Sequence, residues 1–163
     1  MLDALWHVRG GVLIIGDRKE ERILQELSHK LAAQGKAVGQ LSERSIEFND
    51  SLWNMIFPKW PYDPLQMIKK GRGALAIFDR GKIAVSNSAR GRVLSYDVRM
   101  LDAAIFCFLG AILLGGFAGV AEASISTAIS ISAASFAWLY GMNFLVSSFR
   151  ARTFFHKIVA DTP

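Results

Sequence analysis

Three histidines, one cysteine and one acid set among apolar residues are the side chains with which this chain could do chemistry. His7, His29 and His156 lie far apart in sequence, so none has a neighbour at the spacing of a local metal site. None falls inside the long uncharged runs, so the chain is expected to bring no axial imidazole to a membrane-buried haem or chlorophyll. His29 sits on the polar side of an amphipathic segment and reads as solvated. Cys107 lies within an apolar run and reads as a small, protonated, inert residue. A single cysteine also excludes a disulfide framework and any multi-cysteine metal centre.

Glu122 is the one charge between residues 103 and 149. An acid held in hydrocarbon would be a functional candidate. This one falls at the expected turn between two helices, where water reaches it. Gly11–Gly16 followed by Asp17 invites comparison with phosphate-binding loops. Both G-x-G-x-x-G and G-x-x-x-x-G-K-[ST] are absent, and Asp17 and Glu20 at a helix start would repel a phosphate. The serines between Ser124 and Ser135 lack the G-x-S-x-G setting of a hydrolase nucleophile. The expectation is therefore no catalytic residue, no cofactor and no metal.

Contact chemistry is better represented. Leu52–Tyr62 carries Trp53, Phe57, Trp60 and Tyr62, followed by Lys69, Lys70 and Arg72. Trp and Tyr favour the lipid headgroup zone and protein interfaces, and the cations suit anionic headgroups. Two readings stand side by side: these aromatics rest on lipid or a partner, or Trp53, Phe57 and Trp60 cap an open face of a sheet. Three prolines, Pro58, Pro61 and Pro64, break regular structure here.

The elements that must position these groups fall into two halves. The chain has 163 residues, 52% of them apolar, and a mean hydropathy of +0.27. Residues 1–102 carry 16 Lys/Arg and 12 Asp/Glu, whereas 103–149 carry Glu122 alone. That division excludes both a plain soluble globule and a disordered chain. The net charge of +5 comes from cations scattered among acids and flanking the apolar runs, so no nucleic-acid partner is expected.

Ala103–Ala121 is long enough to cross a bilayer as a helix of roughly 28 Å. A second uncharged run extends from Ala123 to Phe149. The reading is a two-helix transmembrane hairpin over 101–149, with helices at about 103–121 and 126–148. Arg90, Arg92 and Arg99 precede it, and Arg150, Arg152 and Lys157 follow. By the positive-inside rule both termini face the cytoplasm, across an inner membrane. Met1–Arg9 contains Asp3 and no long apolar core, so a cleaved signal is not expected. Phe149, Phe154, Phe155 and His156 are expected at the cytoplasmic interface, where the hairpin gives way to a basic tail over 150–163.

Small residues recur every four positions on both helices: Ala111, Gly115 and Gly119 on the first, Ser126, Ser130 and Ala134 on the second. Such stripes let helix backbones approach. They close the hairpin on itself, or one of them docks a partner helix. Trp138 and Tyr140 supply bulk for outward contacts.

Residues 1–100 read as a small α+β domain with a mostly antiparallel sheet. Gly11–Gly16 is a short apolar strand. Asp17 caps an amphipathic helix whose inner face is Ile23, Leu24, Leu27 and Leu31, and Gly35 stops it. Lys36–Leu41 and Ser45–Asn49 form a hairpin. Ala74–Phe78, Lys82–Ser86 and Arg92–Met100 form a meander turning at Asp79-Arg80-Gly81 and at Asn87–Gly91. The function class that fits is a non-catalytic accessory or scaffold subunit of a larger membrane complex, photosynthetic or respiratory types first. Its partners would be other membrane subunits and lipid, contacted through Trp53, Phe57, Trp60, Gly115, Gly119, Trp138 and Tyr140. The alternative is a membrane-tethered domain that binds lipid or a ligand.

Overall fold

The computed structural model describes residues 5–15, 19–42, 44–50, 75, 77–89, 91–122 and 124–161, with the side chains of Gln40 and Leu41 excepted. Five strands form one sheet: β1 (His7–Leu13), β2 (Ala37–Ser42), β3 (Ser45–Asn49), β4 (Arg80–Ser88) and β5 (Gly91–Arg99). Their order is β1-β5-β4-β3-β2, and every neighbouring pair is antiparallel. Alternation explains which face is covered. Val8, Val12, Ile46, Phe48, Ile83, Val85, Leu94, Tyr96 and Val98 share one face through the register and are all buried. The other face carries Arg9, Asp97, Lys82 and Glu47 in one cross-strand row.

Three expectations about the strands are corrected. The first strand starts earlier than Gly11 and ends at Leu13; Ile14 turns into the core, while Ile15 is exposed. Asp79-Arg80-Gly81 is not a turn, because Arg80 and Gly81 open β4. Gly81 is there for space: a Cβ would run into the Phe48 ring and come within 2.8 Å of Val98 Cγ1. Leu75, Ile77 and Phe78 do not form the extra strand; Leu75 and Phe78 plug the core instead.

Helix α1 (Glu20–Ala33) buries Ile23, Leu24, Leu27 and Leu31, the face its periodicity picks out. Gly35 follows at φ 78, the left-handed geometry that ends a helix at glycine. The N-cap is Lys19, with no side-chain cap bond. Asp17 lies outside the described residues. Glu20 is taken by ion pairs to Arg44 and Arg92 rather than by a capping box.

Two long helices complete the chain, α2 (Leu101–Glu122) and α3 (Ile125–Asp161). Both are long and apolar enough to cross a membrane. They are antiparallel, with Gly119 beside Ala128, Gly115 beside Ser132 and Cys107 beside Asn143. The expected hairpin is present, but its second arm does not stop near Val146–Ser148. α3 has 37 residues, about 56 Å of helix. Its C-terminal stretch from Ser147 buries Ser147, Ala151, Phe155, Ile158 and Val159 and lies on the covered face of the sheet beside α1. The stretch expected as a basic tail is therefore part of the core. Phe155 belongs to that core, not to an interface with lipid, and its ring stacks on Tyr96 at 4.2 Å between centroids.

Candidate functional site

Helix packing decides which small residues are used. Gly115 is buried, and a Cβ there would collide with Ser132 Oγ and the Ala128 carbonyl oxygen, and lie 2.9 Å from Ser132 N. At Gly119 a Cβ would meet Ala128 Cβ at 2.5 Å and Ser124 O at 3.3 Å. The Ala111–Gly115–Gly119 stripe thus closes the hairpin on itself. Its counterpart is Ser124, just before α3, with Ala128 and Ser132 on α3; Ser126, Ser130 and Ala134 are exposed. The spacing expected from the sequence is right and the register is off by two. Beside this contact the large side chains of Phe108, Ile112, Ile129 and Phe136 border an apolar groove of about 510 Å³.

A testable consequence concerns Gly115. Replacement by alanine or leucine pushes against the Ser132 hydroxyl and against the backbone of Ala128 and Ser132, and overpacking of this kind costs about 1–3 kcal/mol. Gly115→Leu is expected to lower the unfolding temperature of the chain in detergent, with Gly116→Leu, which has open space, as the neutral control. Equal stability of the two variants would remove Gly115 from the helix contact.

Tyr140 does not point outward. Its hydroxyl donates to the Leu5 carbonyl oxygen, and its ring lies parallel to Phe136 at 5.5 Å. It ties α3 to the segment entering β1. Trp138 is 70% exposed. Trp53, Phe57 and Trp60 lie outside the described residues. Glu122 ends α2 and accepts a hydrogen bond from Thr127 Oγ1 at 3.0 Å, an exposed turn residue. His29 and His156 are exposed. Among the described residues no three His, Cys, Asp or Glu side chains converge as metal ligands.

Two groups escaped the sequence reading. Asp79 is buried where β5 becomes α2. Its Oδ2 takes Arg99 through Nε at 2.8 Å and a terminal nitrogen at 2.6 Å, and its Oδ1 accepts the Leu101 N–H at 2.7 Å. Asp79 is an N-cap for α2 supplied from 22 residues upstream. Lys36 has a side chain only 2% exposed; its Nζ donates to the Phe78 carbonyl oxygen at 2.7 Å and lies 3.3 Å from Asp50. It pins together the two ends of the connection between β3 and β4. Neither has a local motif, since each partner arrives through the sheet.

The open face holds a third group. His7 and Arg9 both hydrogen-bond to Asp97, Arg9 at 2.8 Å. Burial pushes the Asp97 carboxyl up, but the hydrogen bonds from His7 and Arg9 and their charges outweigh it and hold it below the usual carboxylate range. A depressed folded pKa contributes stability that is present above about pH 4 and is lost as the pH falls through the folded value. Asp97→Asn is therefore expected to destabilise the chain at pH 7 and to converge with wild type near pH 2. Circular dichroism followed against pH checks this; a gap that stays constant down to pH 2 would reject the carboxylate as its source.

At the far end of the sheet a polar cavity of about 430 Å³ is lined by Lys19, Glu20, Glu21, Arg44 and Arg92. No protein-family model, curated protein or solved structure matches this chain.

Proposed function

We propose that this chain is a non-catalytic accessory or scaffold subunit of a larger membrane assembly, with α2 and α3 crossing the bilayer and the sheet domain on the cytoplasmic side. One observation carries the reading: α3 passes unbroken from the apolar hairpin into the core of the sheet domain. Hairpin and domain therefore move as one body, which suits a part that holds neighbours at a set height. The membrane reading is supported by the large side chains that both helices leave outward, among them Leu113, Phe117, Ile129, Trp138 and Leu145. A monomer in water rarely leaves so continuous an apolar surface. Arg80, Arg99, Arg150 and Arg152 gather at the sheet end of the hairpin, the cytoplasmic end by the positive-inside rule.

The test is isolation of the full-length tagged chain from its native membranes in mild detergent, with mass determination and identification of co-migrating chains. A defined complex with other membrane proteins supports the reading. A chain that runs alone, or only with itself, overturns it. The polar cavity beside Glu20 favours a second reading, a membrane-tethered ligand-binding domain. Its mark would be a small molecule that raises the unfolding temperature of wild type and not of an Arg44→Ala, Arg92→Ala double variant.

A further inference from the structure

We propose that the open face of the sheet pairs with the same face of a second copy of this chain. The ladder sets Arg9 opposite Asp97, Asp97 opposite Lys82, and Lys82 opposite Glu47. Residues directly opposite in a sheet share a face, so four adjacent strands present a row that reads plus, minus, plus, minus. Turn a second copy by 180° about an axis lying along the strands between β5 and β4. The row then reverses: Arg9 meets Glu47 of the second copy, and Asp97 meets its Lys82. All four positions face an opposite charge, as a self-complementary twofold interface requires. Moving the axis onto β5 would set Asp97 against Asp97 and Arg9 against Lys82, and moving it to either outer pair of strands would match only two of the four charges, so the central axis is the one that uses the whole row.

The chain's own pairing points the same way. Asp97 is used internally by His7 and Arg9. Among the described residues neither Lys82 nor Glu47 closes an ion pair, although they sit opposite each other. The next row holds Gly11, Ser95 and Ala84, small residues that let two sheets come close. In the row on the other side Arg80 would face Arg99, whose charge Asp79 already holds. The four strands that overlap, about 4.8 Å apart and five to nine residues long, offer on the order of 450 Å² per copy, the size of a small, salt-sensitive interface rather than a standard one. Among the described residues Arg9 and Lys82 on this face are exposed, and α1 and α3 cover the opposite one.

The axis itself is informative. β5 passes into α2 after one residue, Met100, so an axis along the strands runs toward the hairpin. Two copies related in that way enter a bilayer in the same sense. This last point rests on the membrane reading above; the pairing of the faces rests on the sheet alone.

The purified full-length chain in mild detergent should have the native mass of a dimer, and the dimer should weaken at high salt, as exposed charge pairs do. Glu47→Arg puts like charges together at two places in each dimer and should weaken self-association more than tenfold. Arg9→Glu should do the same. Mixed under different tags, these two variants restore opposite charges at both outer positions and should co-purify. A monomeric wild type overturns the proposal. So does a Glu47→Arg chain that stays dimeric, or a mixture that fails to pair while each variant keeps the wild-type circular dichroism. Alkaline carbonate extraction reads the membrane proposal separately: a chain released as a dimer would reject the membrane and keep the pairing.

Discussion

Phe155→Ala is expected to destabilise the sheet domain by about 3–5 kcal/mol, the cost of truncating a fully buried aromatic side chain. Phe155 lies on α3, more than fifty residues beyond the last strand, yet it stacks on Tyr96 in the middle of β5 and is wholly enclosed. Ala151, Ile158 and Val159 lie on the same face of α3 and enter the same core as Leu27 and Leu31 of α1. Denaturant unfolding of the full-length chain in detergent, followed by near-ultraviolet circular dichroism, measures the loss. Phe149→Ala, at an exposed position on the same helix, is the control and should fall within about 0.5 kcal/mol of wild type. If both variants behave alike, the end of α3 is not part of the domain. For the same reason residues 1–99 expressed alone are expected to aggregate. They would expose the surface that α3 covers, and that outcome would say nothing about partners.

Asp79→Ala should be nearly as costly, about 3 kcal/mol, at the lower end for breaking a buried ion pair because Arg99 keeps some access to water. The Asp79 side chain is 4% exposed and does two jobs: it neutralises Arg99 and it caps the first turn of α2. Asp79→Asn keeps an oxygen for the Leu101 N–H and loses the charge, so it should lie between alanine and wild type. Hydrogen exchange at the first-turn amides of α2 separates the two roles. Those amides should open faster in the alanine variant than in the asparagine one. Identical exchange in both would show that the cap contributes nothing. A loss within about 0.5 kcal/mol for Asp79→Ala would reject the junction altogether.

The parts of the fold that were legible from residues were those governed by short-range repetition. Ile23, Leu24, Leu27 and Leu31 mark the inner face of α1, and Leu94, Tyr96 and Val98 mark that of β5, by spacing alone. Uncharged length marked both apolar helices. Glycine was harder to read. At Gly35 it ends a helix, as its setting suggests; at Gly81 it sits within a strand because the Phe48 ring needs its space. A lone glycine after Asp-Arg looks the same in either role until its cross-strand neighbour is known.

Composition and periodicity determined that this chain has an α+β part and an apolar hairpin, because burial and helical or strand spacing are local properties of the sequence. Tertiary structure alone decided that the two are one body. The charges Arg150, Arg152 and Lys157 disguised 150–161 as a solvated tail, although Ala151, Phe155, Ile158 and Val159 recur at helical spacing. What those residues needed was a surface to cover, and the open half of the sheet beside α1 supplies it. Likewise the Asp79 cap, the Lys36 tie and the alternating row from Arg9 to Glu47 join residues from distant segments. Register places those groups together, and register is set by the pairing of whole strands.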